Sequence, residues 1–242
     1  MRLIQFKQGD YVSLAARRGD DLIDLKKAIP GISTDITALL GADALDDIAG
    51  KLDGAGADCL VEGDFDYLPP LGAPPKIICV GLNYMDHASE SPYEKPDYPV
   101  LFLRVATSLV AHGAPMIRPT CSEQFDYEGE MVAVIGKGGR HISRATALNH
   151  VAGYSVFNDG SIRDYQFKSP QWTSGKNFDG SGGFGPDFVT ADEVPAGAKG
   201  LRLTTKLNGE IVQDANTNDL IFPVDEIVAV ASEVMTLQPG DL

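Results

Sequence analysis

Apolar and polar residues alternate from the start of the chain. Residues 3–6 and 11–15 carry the period-two pattern of half-buried strands, and Gln8-Gly9-Asp10 between them supplies a turn. Residues 34–40 and 42–52 change to helical spacing, with Ser33 or Thr34 as the expected N-cap. The stretch 67–75 then breaks every period. Four of its nine residues are proline, which suits neither a helix nor a central strand, and it marks a boundary between residues 1–69 and 70–242.

Beyond that boundary strands dominate. Residues 76–80, 99–104, 127–135 and 153–157 read as strands, and Ser143 is placed to cap a short helix through His150. Residues 201–207 and 210–213 flank Asn208-Gly209, the signature of a hairpin closed by a type I′ turn. Val224, Ile227, Val228, Ala231, Val234 and Met235 keep helical spacing on one face. Irregular, glycine-rich loops join the strands, without the regular alternation of a doubly wound sheet. The fold class is therefore α+β and strand-rich, a large sheet curled on itself behind a small N-terminal α+β domain.

Composition narrows the function. At 242 residues and 43% hydrophobic content the chain is long and apolar enough to bury a core, so disorder is not the default reading. Twenty Lys and Arg against 34 Asp and Glu leave a net charge of −14, which repels a phosphate backbone, so nucleic acid is not an expected partner. No apolar run approaches a membrane span, and the first residues lack the pattern of a signal peptide. Three widely spaced cysteines, Cys59, Cys79 and Cys121, form neither a disulfide framework nor a thiolate metal motif and fit a reducing compartment. Cytoplasm is the expected location.

Three patches carry candidate chemistry. Glu128 and Glu130 lie two apart in an expected strand and share a face, about 6.5–7 Å apart along the chain. That face continues as Val132 and Val134, and the opposite face is apolar as well. Two like charges on a covered strand need a compensating cation, and a hard divalent ion such as Mg²⁺, Mn²⁺ or Ca²⁺ suits oxygen ligands; a solvated strand end is the plainer alternative. Asp159 after the next strand is either a third ligand or a turn residue. Arg163 and Gln166 share a helical face as donors to an anionic substrate, or belong to the surface. His87 and Glu90, three apart, form either a structural pair or a dyad in which the carboxylate raises imidazole basicity. His112, His141 and His150 lack acidic partners at useful spacing and read as structural. Lys176 sits in a glycine-rich loop without the Gly-Lys-Ser/Thr of a nucleotide cradle, and no Gly-x-Ser-x-Gly elbow is present.

These patches in this order resemble the fumarylacetoacetate hydrolase family, which includes acylpyruvate hydrolases and 2-hydroxyhepta-2,4-diene-1,7-dioate isomerases. The resemblance rests on Gly81-Leu-Asn-Tyr-Met-Asp-His-Ala-Ser-Glu90, on Asp126-Tyr-Glu-Gly-Glu130 and the strand after it, on Gly153 to Gln166, on Lys176-Asn-Phe-Asp-Gly180 and on Thr236 to Leu242. It implies a mixed β-roll, a homodimer, a divalent metal held by Glu128, Glu130 and Asp159, a water-activating dyad of His87 and Glu90 on a mobile lid from Tyr84 to about Pro96, and substrate contact by Lys176. The chain stops at Leu242, before a Thr-Gly-Thr-Pro stretch of the family, so the roll is expected to be incomplete at its C-terminal end and no catalytic threonine is carried over. The implied function is metal-dependent cleavage of a carbon–carbon bond in a 1,3-diketo acid of the acylpyruvate or fumarylpyruvate kind. Decarboxylation of an oxaloacetate-like 2-oxo diacid, isomerisation of a 2-hydroxymuconate-like acid, and a non-catalytic metal-binding role are the alternatives.

Overall fold

A computed structural model describes residues 1–84 and 96–242. The chain opens with β1 (Arg2–Gln8), β2 (Tyr11–Arg18) and β3 (Asp21–Asp24), followed by three short helices, α1 (Leu25–Ala28), α2 (Ile36–Gly41) and α3 (Leu45–Leu52), and by β4 (Asp66–Leu68). The expected strands form, but not as half-buried ones: neighbours Leu3 and Ile4, and Leu14 and Ala15, are all fully buried, because one face of β1 and β2 enters the core of Leu3 and Leu14 and the other packs Ile4, Phe6 and Ala15 together. The helices begin later than their spacing predicts. Asp35 caps α2, its carboxylate accepting from Thr37 N at 2.9 Å. The Ser33 hydroxyl instead accepts from Asp35 N at 3.1 Å, which fixes the turn before the cap. A left-handed Asp43 (φ 53°) separates α2 from α3, where the spacing alone predicts an earlier start to the second helix.

The remainder supplies β5 (Ile77–Gly81), β6 (Val100–Arg104), β7 (Leu109–Ala111), β8 (Phe125–Asp126), β9 (Gly129–Ile135), β10 (Val151–Asn158), β11 (Ser161–Ile162), α4 (Arg163–Gln166), α5 (Thr173–Lys176), β12 (Gly182–Phe184), β13 (Phe188–Thr190), β14 (Arg202–Leu207), β15 (Glu210–Asn216) and α6 (Val224–Val234). Among the described residues nine strands form one sheet in the order β3-β2-β1-β13-β10-β12-β7, with β4 on β1 and β9 on β10. Every pairing is antiparallel except β12 on β7. Two strands, β13 and β4, pair with successive stretches of β1, and two, β13 and β12, with successive stretches of β10. The result is the mixed, curled, strand-rich α+β architecture.

The proline segment divides the chain in sequence without dividing its hydrogen bonding. Arg2 and Leu3 pair with Val189 and Phe188. Leu3, Leu14, Leu25, Ile36 and Leu40 pack in one core with Val134, Phe157, Phe184 and Phe188. A second core gathers Ile135, Ala147, Val151, Tyr154, Val228 and Ala231 around α6. β9 serves both, because alternate side chains leave opposite faces: Val134 enters the first core and Ile135 the second.

Three local differences have clear causes. The segment after Ser143 is a 3-10 helix, Arg144–His150, and the Ser143 hydroxyl bonds the Thr146 hydroxyl at 2.8 Å rather than the backbone. Val234 at the end of α6 is 55% exposed while Ser232 is fully buried, its hydroxyl accepting from Ile142 N. The Asn208-Gly209 turn has both residues at positive φ, 51° and 89°, as a type I′ turn requires, but its strands form a separate two-stranded arm. No helix among the described residues is long and apolar enough to cross a membrane, and all three cysteines are free.

Candidate active site

The end of β10 and the start of β9 are laced together by side-chain and backbone bonds where the regular ladder stops. Glu128 N donates to the Asn158 side-chain oxygen at 3.0 Å, and Asp159 N donates to Glu128 O at 2.7 Å. This clamp brings Asp159 beside Glu128. It also corrects the expected strand: regular pairing begins at Gly129, so Glu128 lies just before β9 rather than within it.

Both carboxylates then meet one cation. Lys176, buried at the end of α5, donates to Glu128 Oε2 at 2.5 Å and to Asp159 Oδ2 at 2.8 Å. The other oxygen of Asp159 accepts from Arg104 at 2.5 Å, and the other oxygen of Glu128 lies 2.6 Å from Arg163. Arg163 also grips Asp126 through Nε and Nη2 at 2.8 and 2.6 Å, and donates to Gln166 Oε1 at 2.9 Å. The helical pairing of Arg163 with Gln166 is thus present, inside the site rather than on the surface.

Glu130 has no ion-pair partner among the described residues. It opens onto a cavity of about 430 Å³ yet stands deep beneath the surface, so its carboxyl is cavity-facing but poorly hydrated. Burial first, then the charges of Glu128 and Asp159, push its pKa from 4.5 up to about 8 against the opposing pull of Lys176. The same cavity is lined by Glu128, Asp159, Arg163, Gln166 and Lys176. Phe102 and Trp172, edge to face at 5.5 Å, form one wall, and Lys176 Nζ lies 5.2 Å from the Phe102 ring centre.

Glu128, Glu130 and Asp159 therefore share one cavity, but no three His, Cys, Asp or Glu side chains among the described residues are drawn together as a ready metal cluster. The Lys176 ammonium occupies the point between Glu128 and Asp159. The donor set still fits a hard divalent cation: three carboxylates line one cavity, and Glu130 has no cation partner among the described residues, its pKa raised first by burial and then by the charges of Glu128 and Asp159. His87 and Glu90 lie outside the described residues, as do residues 85–95 of the expected lid.

Sequence reasoning gave no role in the site to Arg104, Gln213 or Cys79. Arg104 is 3% exposed and fully engaged, reaching Asp159, Gly160 O, and the Ser108 and Ser181 hydroxyls. A charge ending an otherwise apolar strand was the available signal. Gln213 Oε1, on the β14–β15 arm, accepts from Gly129 N at 2.7 Å, between the two glutamates. Burial and the nearby Asp159 push the Cys79 thiol well up, which leaves it an inert part of the wall. Of the other histidines, His150 Nδ1 bonds Lys137 O, His141 accepts from Arg140, and His112 stacks edge-on with Tyr67; none of the three lines the cavity.

A mixed roll with an acidic, cation-laced pocket at the join of two antiparallel strands defines the class. Residues 76–242 match the model of the fumarylacetoacetate (FAA) hydrolase C-terminal domain, and the chain belongs to that family. It is 35% identical over 249 aligned residues, covering all of this chain and 79% of the relative, to the mitochondrial oxaloacetate tautomerase FAHD2A of Homo sapiens. Among solved structures it is similar to a fumarylacetoacetate hydrolase from psychrophilic Exiguobacterium antarcticum (TM-score 0.87, 30% identity, all of this chain and 84% of that one). It is also similar to maleylpyruvate hydrolase from Sphingobium sp. SYK-6 in complex with manganese(II) and pyruvate (TM-score 0.79, 28% identity, all of this chain and 86% of that one). Members of this family are enzymes, among them hydrolases and tautomerases.

Proposed function

We propose that this protein is a divalent-metal-dependent enzyme that moves a proton on a small 2-oxo acid, interconverting the enol and keto forms of an oxaloacetate-like diacid. The observation that carries this reading is the shared cavity of Glu128, Glu130 and Asp159 with Lys176 and Arg163 at its edge. Glu128, Glu130 and Asp159 would hold Mg²⁺ or Mn²⁺ (Ca²⁺ is the third candidate), which supplies Lewis-acid polarisation of the 2-oxo oxygen when bound. Arg163 and Gln166 orient the substrate carboxylate by charge and hydrogen bonding. Lys176 carries a proton at Nζ within reach of the same space, placed to stabilise negative charge as it develops. In the enol-to-keto direction the enol O–H bond breaks, C3 gains a proton, and no other atom is exchanged.

Hydrolytic cleavage of an acylpyruvate is the second reading, favoured by the likeness to maleylpyruvate hydrolase. It needs a base for water, the role the family resemblance gives to His87 oriented by Glu90. Decarboxylation of oxaloacetate shares the enolate and needs no such base. A homodimer in a reducing compartment, cytoplasmic on the sequence evidence, completes the proposal, although the human relative is named mitochondrial.

Turnover of oxaloacetate enol and of acetylpyruvate by wild type, Glu128→Ala and His87→Ala at matched Mn²⁺ tests these readings. The tautomerase reading expects metal-dependent enol–keto exchange by wild type that Glu128→Ala abolishes. His87→Ala should lower any acylpyruvate hydrolysis by about 10²–10⁴-fold. Rapid metal-dependent hydrolysis with no acceleration of enol–keto exchange would hand the assignment to the hydrolase.

A further inference from the structure

Tyr84 stands three residues beyond β5, among the residues that line the cavity. Its hydroxyl is buried with no hydrogen-bond partner among the described residues, and the residue as a whole is 7% exposed. A phenol left unpaired away from water is costly, on the order of 1–3 kcal/mol, and buried polar groups are nearly always satisfied. This orphan belongs to a residue that lines the same cavity as Glu128, Glu130, Asp159 and Lys176, and the described residues offer it no acceptor.

The backbone beneath Tyr84 is fixed. The Asn83 side chain donates to Phe222 O at 3.0 Å and accepts from Phe222 N at 2.8 Å. Ile221 N donates to Asn83 O at 2.8 Å, and Tyr84 itself bridges Leu220. Four contacts to the segment before α6 hold the backbone at residues 83–84 in place. Burial, then the Glu130 and Asp219 charges, push the phenol up, which keeps it protonated and makes it a donor. Glu130 is near enough to act electrostatically but is not bonded to it.

We propose that Tyr84 is a substrate-binding residue whose hydroxyl donates a hydrogen bond to an oxygen of the bound 2-oxo acid. This rests on the metal-dependent oxo-acid reading above. Tyr84→Phe keeps the ring and removes only the donor. The full chain loaded with Mn²⁺ is titrated with oxalate and with pyruvate by calorimetry, the Mn²⁺ affinity is measured separately, and the ligand-free melting temperature is recorded. The expected result is oxo-acid binding weaker by about 10- to 100-fold, the scale of a lost hydrogen bond to a charged group. Mn²⁺ affinity should be unchanged and the ligand-free melting temperature equal or higher, because an unpaired buried hydroxyl has been deleted. Equal oxo-acid affinity in wild type and variant would overturn the role of Tyr84 alone. A lower melting temperature or weaker Mn²⁺ binding in the variant would also overturn it, since the hydroxyl would then serve the fold or Glu130. Failure of Mn²⁺-loaded wild type to bind either anion would sink the oxo-acid reading itself, and this assignment with it.

Discussion

Glu130 couples the site to pH. In the folded, metal-free protein it holds its proton up to about pH 8, whereas in an unfolded chain it releases it near 4.5. A group whose folded pKa is raised contributes stability that is complete below the unfolded value and is lost as pH climbs through the folded one. The metal-free protein should therefore lose stability between about pH 5 and pH 8 through this residue. On the metal-dependent function proposed above, a divalent cation would reverse the sign, because it would bind the ionised carboxylate. Mn²⁺ should raise the melting temperature more at about pH 8 than at about pH 6, with proton release on binding at the lower pH. Glu130→Gln should flatten the metal-free profile across that window. Thermal melts of both proteins with and without Mn²⁺ check this, and a metal-free profile identical in the two would assign the coupling elsewhere.

The β14–β15 arm shows how an element outside the main sheet shapes the site. Gln213 accepts from Gly129 N, and the Thr205 hydroxyl bonds the same Gln213 oxygen at 2.7 Å. A methyl group at residue 129 would lie 2.2 Å from the Thr205 hydroxyl oxygen and 3.2 Å from Gln213 Oε1. Gly129→Ala should push the arm away, cost about 1–3 kcal/mol by overpacking, and weaken metal binding by disturbing the spacing of Glu128 and Glu130. Adding Thr205→Ala removes the clashing oxygen and should restore much of the metal affinity; no recovery would mean the arm does not set that spacing. This arm was legible from Asn208-Gly209, as was β9 from its two apolar faces, because turn chemistry and period two are local signals. The glutamate pair and the Arg163–Gln166 contact were legible for the same reason. What covers a residue was not. Lys176 reads as a loop lysine free for substrate, yet it bridges Glu128 and Asp159, and Arg104 reads as a strand end, yet it is buried against Asp159. Those contacts join residues 17 to 55 positions apart, where periodicity carries no information.

At the scale of the whole molecule the two parts of the sequence separated by prolines are stitched by β1 on β13 and by a common core. Their pairing joins Arg2 to Val189 and Leu3 to Phe188, so no local pattern announces it, and a boundary at 67–75 is the natural sequence reading. Shared burial predicts shared unfolding. Leu14 lies in β2, fully buried in the core that also holds Val134, Phe184 and Phe188. Leu14→Ala should cost about 2–5 kcal/mol, the range for a truncated core leucine. Trp172, the single tryptophan of the sequence, packs against Phe102 beside the cavity and reports on the other part. If the chain unfolds as one unit, far-ultraviolet dichroism and Trp172 fluorescence give coincident transitions, and Leu14→Ala moves both midpoints equally. A Trp172 midpoint that stays fixed while part of the dichroism signal melts earlier would mark residues 1–69 as an independent domain. Such independence would also predict that Leu14→Ala leaves Mn²⁺ affinity untouched below the early transition and through it. Coincident melting predicts that affinity and fold are lost together.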